Sequence, residues 1–409
     1  MNILGQTFLI LAAALPLVSR AEVRLGNEVL ARSNFKALQG KRVGLITNPS
    51  GVSRNLDSTI DVLRAAPGVK LVALFGPEHG IYGDVSAGDK VENRIDARTG
   101  LPVYSLYGKT YKPTPEMLQG LDALVYDLQD TGCRSYTFIS TMGVSMAACA
   151  DAGVEFVVLD RPNPLGGLRV EGPMLREGFR SFVSRWNVPY VYGLTCGELA
   201  LMINGEGWIT NRCKLTVVPM QGWKRSMVWR DTGLPWVPTS PHVPHGESPL
   251  FQVATGMLGE IGGVSTGIGY TLPFQCVAAP DLDPHKTAEL LNGYKLPGVK
   301  FHPITYQPYY FTFTNQMAGG VQIFFTDPAH APLTAINFYV LEALKTLANR
   351  DLFAEAIKRN KSFSMFDKVN GTDATRKALQ AGTPAAGIVA SWKPGEEAFR
   401  KERKKYLLY

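Results

Sequence analysis

The chain has 409 residues, of which 45% are hydrophobic and 19% charged, and a formal net charge of +7. That length supports two or three domains with a large core, and the composition excludes disorder and collagen-like repetition. Much of the positive charge is local, at Lys393, Arg400, Lys401, Arg403, Lys404 and Lys405, so the broad basic stripe that nucleic acid requires is missing; a mildly basic surface suits an anionic polymer such as a cell wall.

In chain order, Phe8 to Val18 is an apolar run followed by Ser19-Arg20-Ala21. It reads as a secretory signal cleaved after Ala21, which predicts a periplasmic or secreted protein, although Met1 to Thr7 carries no Lys or Arg. The run is shorter than the ~20 apolar residues of a membrane span, and no later segment is long enough. Arg42 to Asn48 reads as a strand, Asn55 to Ala66 as a helix from its apolar spacing at Leu56, Ile60 and Leu63, and Val69 to Phe75 as a second strand. Leu101 to Leu106 is a third strand, Thr114-Pro115-Glu116 opens a helix, and Asp122 to Asp127 is a fourth strand. Ser140 to Ala152 reads as a helix and Val154 to Asp160 as a fifth strand. Continuous apolar strands alternating with helices predict a parallel sheet covered on both faces. Right-handed crossovers then bring the strand C-termini to one edge.

The residues that end those strands are Thr47-Asn48, Glu78-His79, Asp127 with Asp130, and Asp160-Arg161-Asn163. Open α/β sheets place their chemistry at that edge. The second half differs. Trp229 to Pro249 is rich in Pro, Trp and His, Phe251 to Phe274 is rich in Gly, Phe311 to Phe325 has β-type content with a Gly-Gly break, and Leu333 to Leu347 is helical. The predicted plan is a signal over 1–21, a Rossmann-like α/β domain over 22–225 and a smaller α+β domain over 226–409. The five cysteines have no C-x-x-C pair, which predicts buried thiols rather than a zinc ribbon or a disulfide scaffold.

Several short motifs lack their context. Gly108-Lys109-Thr110 ends like a P-loop, but Val103 stands where its first Gly belongs, and no G-x-G-x-x-G follows the first strand. His242 and His245 flank Val243 and Pro244 in a loop with Pro241; loop packing or substrate contact is the expected role, and no metal or cofactor is predicted. Gly263-Val264-Ser265-Thr266-Gly267 fits the nucleophile-elbow pattern without the strand and helix it needs, leaving a serine esterase built on Ser265 as a minor alternative. The carboxylates are more informative. Glycoside hydrolysis needs a carboxylic acid to protonate the leaving oxygen and often a second carboxylate. Glu78, Asp127 and Asp130 are the catalytic candidates. Asn48, His79, Arg134, Tyr136, Arg161, Asn163, Glu171, His242 and Thr266 are candidates for binding sugar hydroxyls, an acetamido group or a carboxylate. Turn capping and ion pairing compete as explanations of Asp127, Asp130 and Arg134.

Gly44 to Gly51, Phe75 to Gly83, Tyr126 to Gly132, Tyr136 to Met142, Asp160 to Pro164 and Tyr192 to Ala200 together resemble the NamZ-type exo-β-N-acetylmuramidases, glycoside hydrolase family 171, over nearly the whole chain after the leader. The resemblance implies a Rossmann-like domain and a smaller C-terminal domain with the site between them. It implies release of N-acetylmuramic acid from the non-reducing end of peptidoglycan fragments, and Glu78 as the leading candidate for the acid. It also exposes a departure: where the family typically reads Ser-Glu-Gly-Arg-Gly-Thr, this chain has Ser265 to Tyr270, with Thr266 and Ile268 replacing Glu and Arg. A hydroxyl and an aliphatic group cannot stand in for a carboxylate and a guanidinium, which raises the alternative of a muropeptide-binding paralogue with altered or no turnover.

Overall fold

The computed structural model describes residues 22–86, 88–348, 350–359 and 362–409; the leader-like run and its cleavage site lie outside them. The first domain is built on strands β1 (Arg42–Thr47), β2 (Lys70–Gly76), β3 (Arg94–Ile95), β4 (Pro102–Ser105), β5 (Ala123–Asp127) and β6 (Glu155–Leu159). A hairpin of β7 (Glu171–Met174) and β8 (Pro189–Val191) follows, and β9 (Leu215–Val218) completes the domain. The sheet has seven strands in the order β3-β4-β2-β1-β5-β6-β9, all parallel except β3. Leaving β3 aside, this is the strand order of a Rossmann fold, with its switch point between β1 and β5.

Alternation along the strands explains why both faces are covered. Leu124 and Tyr126 of β5, with Phe156 and Val158 of β6, join a core beneath the helices Phe138–Ala152 and Cys196–Gly205. Ala123, Val125, Val157 and Leu159 join the opposite core, with Leu30 and Leu63 from the helices Gly26–Arg32 and Thr59–Arg64. A strand buried on both faces needs apolar residues at every position, which is why these runs read as continuous.

The second domain holds an antiparallel sheet of β10 (Cys276–Ala279), β12 (Ala318–Phe325) and β11 (Val299–Tyr306), in that order. The helices Ser248–Ile261, Pro284–Gly293 and Leu333–Ala348 pack with it in one core. The β-type run predicted from Phe311 starts as strand only at Ala318; residues 307–317 form the loop between β11 and β12. The Gly-Gly break lies inside β12, where a Cβ on Gly320 would collide with the Val277 carbonyl. All five cysteines are buried free thiols. Among the described residues no helix is long and apolar enough to cross a membrane.

Candidate active site

β2 ends at Gly76, and the chain turns sharply because His79 (φ 72°) and Gly80 (φ 75°) are both left-handed. A non-glycine residue in that region stores strain of order 1 kcal/mol, which functional sites commonly tolerate. The turn aims Glu78 and His79 into a cleft between the domains with about 230 Å3 of free space, the scale of one sugar ring. Tyr107 enters from the loop after β4, and Ser135, Tyr136 and Thr137 from the segment leading into the helix at Phe138. Ser240 and His242 come from the loop before the helix Ser248–Ile261, whose residues Gln252, Gly256 and Glu260 supply the facing wall. That spacing of four is one stripe of a helix.

Glu78 is held at both oxygens. The Thr137 hydroxyl donates to Oε2 at 2.5 Å and the Gly88 N–H to Oε1 at 3.1 Å. A hydroxyl can also accept, so Thr137 can serve the carboxyl with or without its proton. His79 places Nδ1 2.8 Å from the Val85 carbonyl; only a protonated Nδ1 can donate there, so in the neutral ring Nε2 carries the lone pair. Burial and the nearby His79 hold His242 below the ordinary imidazole range. Its Nε2 lies 3.0 Å from the Tyr310 hydroxyl. Burial and the charge of Glu78 push the Tyr107 phenol up, and burial does the same at Tyr136. No Lys or Arg is among the described residues lining this cleft.

Most of the other predicted site residues gather near the same edge yet are engaged in holding the fold. Asp127, predicted as catalytic, does not line the cleft: it is fully buried, paired with Arg161 through Nε at 2.5 Å and Nη2 at 3.0 Å, and it accepts from Thr59 Oγ1 at 2.6 Å. Arg161 also donates from Nη2 to the Val52 carbonyl at 2.9 Å. Asp130 is also buried beneath the site, bound by the Tyr192 hydroxyl at 2.5 Å and the Gly132 N–H at 2.7 Å. Burial raises its pKa to about 6. Arg134, predicted as a ligand for substrate, donates to Ser184 Oγ and to the carbonyls of Pro173, Val188 and Val369 at 2.7–3.1 Å. Asn48 donates to the Thr239 carbonyl at 2.9 Å, and Asn163 to the Leu194 carbonyl at 2.9 Å. Glu171 pairs with Arg169 and accepts from the Thr334 N–H at 3.0 Å, a contact between domains away from the cleft. Thr266 is buried in its own loop and does not line the cleft. Ser265 is buried against the Tyr306 hydroxyl at 2.8 Å, and among the described residues no imidazole is bonded to it, so the esterase alternative has no triad there.

Of the predicted set, the cleft therefore brings together Glu78, His79, Tyr136 and His242. It adds Tyr107, Ser240, Gln252 and Glu260, which no motif marked, and Thr137, which lies in the Tyr136 to Met142 block without having been singled out. The line Gln252-Gly256-Glu260 on an otherwise apolar helix was the available signal for the last wall. His245 is exposed, and among the described residues no three His, Cys, Asp or Glu side chains group as a metal site. Two carboxylates on facing walls, with imidazoles and hydroxyls around them, can transfer a proton to a bound ether oxygen and meet positive charge at the adjoining carbon.

Comparison with known proteins yields a consistent set of matches. The models for the N-terminal and C-terminal domains of exo-β-N-acetylmuramidase NamZ match residues 43–247 and 252–409. A Bacillus subtilis protein named peptidoglycan β-N-acetylmuramidase NamZ is 43% identical over 390 residues, covering 95% of this chain and 92% of its own length. A crystal structure of a DUF1343 family protein from Bacteroides fragilis matches with a TM-score of 0.89 and 49% identity, over 95% of this chain and 100% of that one. A second from the same organism matches at 0.74 and 29%, over 95% and 99%.

Proposed function

The chain belongs to the exo-β-N-acetylmuramidase NamZ family and is a glycoside hydrolase, and from that premise we propose that the cleft takes the terminal N-acetylmuramic acid of a peptidoglycan fragment and releases it from the non-reducing end. Glu78 is the general acid that gives its proton to the departing glycosidic oxygen. Glu260, on the other domain, is the second carboxylate and faces the anomeric carbon as it gains positive charge. This revises the sequence expectation, in which Asp127 or Asp130 took that place. His79, His242, Tyr107, Tyr136 and Ser240 surround the sugar. Thr137 holds Glu78 through the proton transfer.

The observation that carries this reading is the pairing of Glu78 and Glu260 within one cleft of single-sugar size at the C-terminal edge of the sheet. It also removes the ground for a purely binding paralogue: the carboxylate that Thr266 does not provide is supplied from six residues earlier. On a chromogenic N-acetylmuraminide, Glu78→Gln is expected to lower kcat by about 10²–10⁴-fold with the melting temperature preserved. Glu260→Gln should do the same, and azide should restore part of the activity of Glu260→Ala if that carboxylate faces the anomeric carbon. Wild-type turnover by folded Glu78→Gln refutes the assignment of the acid; wild-type turnover by folded Glu260→Gln refutes that of its partner.

A further inference from the structure

An exo-acting site that seats one terminal sugar must let the rest of the glycan leave through the mouth of its pocket. Here both sides of the mouth are aromatic. On the first domain, Tyr107 lines the cleft and meets Tyr111 edge-on at 5.2 Å between centroids, and Tyr111 packs on Phe182 at 4.7 Å. Tyr111 is 46% exposed. On the opposite side, His242 lines the cleft and stacks on Tyr310 of the second domain at 6.2 Å and 27°. Tyr309, Tyr310 and Phe311 are 66%, 52% and 67% exposed, three consecutive rings turned to solvent.

The loop that presents those three rings is rigidly built. Phe311, Phe313 and Asn315 all have left-handed backbone, at φ 71°, 63° and 59°. Strain at non-glycine residues persists only where the surroundings over-determine it. The Tyr309 N–H donates to the Gly269 carbonyl at 2.7 Å, and Asn315 N–H to the Pro308 carbonyl at 3.1 Å. Thr314 Oγ1 donates to the Phe311 carbonyl at 2.8 Å, and Phe313 turns inward against the domain core. Tyr270 stacks on Tyr306 at 4.6 Å and reaches Tyr309 at 5.8 Å, so the exposed loop is braced from behind by further rings. Folding gains nothing from holding large apolar rings in water, and a fixed patch of them marks a binding surface.

We propose that these two aromatic walls form a subsite for the glycan on the leaving side of the scissile bond, stacking the apolar faces of its N-acetylhexosamine rings as they emerge from the cleft. The occupant follows from continuity: both walls begin at residues that line the pocket, and the flat, half-apolar face of a pyranose matches an aromatic ring. The inference rests on the exo-hydrolase reading above. The subsite adds affinity for long substrates and none for an aryl glycoside that ends at the pocket mouth.

The test is a comparison of kcat/KM on an aryl N-acetylmuraminide and on a tetrasaccharide with non-reducing N-acetylmuramic acid. It uses wild type, Tyr111→Ala, Phe311→Ala and the double variant. The ratio of tetrasaccharide to aryl values is expected to fall about 3- to 10-fold per ring removed, through KM. Calorimetry with chitotetraose, a β-linked N-acetylhexosamine chain, is expected to show binding to wild type and weakening by a similar factor in the variants. An unchanged ratio in active variants, or equal loss on both substrates, overturns the proposal, as does absence of chitotetraose binding to wild type. A wild-type protein inactive on both substrates would fail the hydrolase reading instead, while chitotetraose binding would still decide the subsite.

Discussion

Asp130 and Glu78 show how two carboxyls near one sheet edge come to do different work. Glu78 opens onto the cleft between a hydroxyl and an amide donor. Asp130 is fully enclosed, and its Oδ1 has no hydrogen-bond partner among the described residues. Desolvation dominates there and disfavours the charged form, which is why its pKa rises to about 6. The folded protein therefore holds that proton more tightly than the unfolded chain, whose carboxyl titrates near ~3.9. Unfolding releases the proton between those values, so the Asp130 contribution makes stability decline as pH rises from about 4 to about 6. Asp130→Asn is expected to flatten that part of the pH profile of urea midpoints. A profile of unchanged slope would show that Asp130 does not titrate in this window. Composition and motif cannot separate the two roles, because a short Asp-x-x-Asp segment looks the same whether its oxygens face a cleft or a core.

The helix Phe138–Ala152 links the site to the core at the scale of an element. Ser135, Tyr136 and Thr137 sit just before its first turn and line the cleft, while Gly153 ends it in a left-handed conformation (φ 68°), a common glycine stop. In its interior, Gly143 has no room for a side chain: an added Cβ would overlap the Trp186 indole. That ring cannot easily move, since its Nε1 donates to the Ile139 carbonyl at 2.8 Å and it stacks on Trp208. Gly143→Ala, which would favour an exposed helix, is here expected to cost about 1–3 kcal/mol through overpacking, read as a lower urea midpoint. An unchanged or higher midpoint would mean that the indole yields. The sequence marked this helix and its neighbours because apolar periodicity is local. It did not mark the stripe Gln252-Gly256-Glu260, because a polar line on a mostly buried helix acquires meaning only when the opposite domain closes over it.

At the scale of the whole molecule, the C-terminal segment ties the second domain back to the first. Arg403 donates to the carbonyls of Tyr192 and Gly193 at 2.9 and 2.6 Å, and the Leu408 N–H to Glu198 Oε1 at 2.9 Å. The Tyr409 ring meets Trp223 edge-on, and its hydroxyl donates to Asp160 Oδ2 and accepts from the Met220 N–H, at 2.7 and 2.8 Å. Tyr409→Phe removes a donor to a buried carboxyl and the acceptor of a main-chain amide. It is expected to cost about 1–3 kcal/mol, measured by equilibrium unfolding; no loss would show that the strap is held by its other contacts. The same long reach decides the active-site edge. Asp127 meets Arg161 across 34 residues, Asn48 meets Thr239 across 191, and Arg134 meets Val369 across 235. The amino-acid sequence by itself determined the Rossmann-like sheet, the convergence of its strand ends and the family, because apolar runs, turn residues and ordered motif blocks are properties of neighbouring positions. Only the tertiary structure decided which polar side chains at that edge are enclosed in the fold, as Asp127 and Arg134 are, and which, like Glu78 and Glu260, line the cleft, because those placements join residues that the chain keeps far apart until it folds.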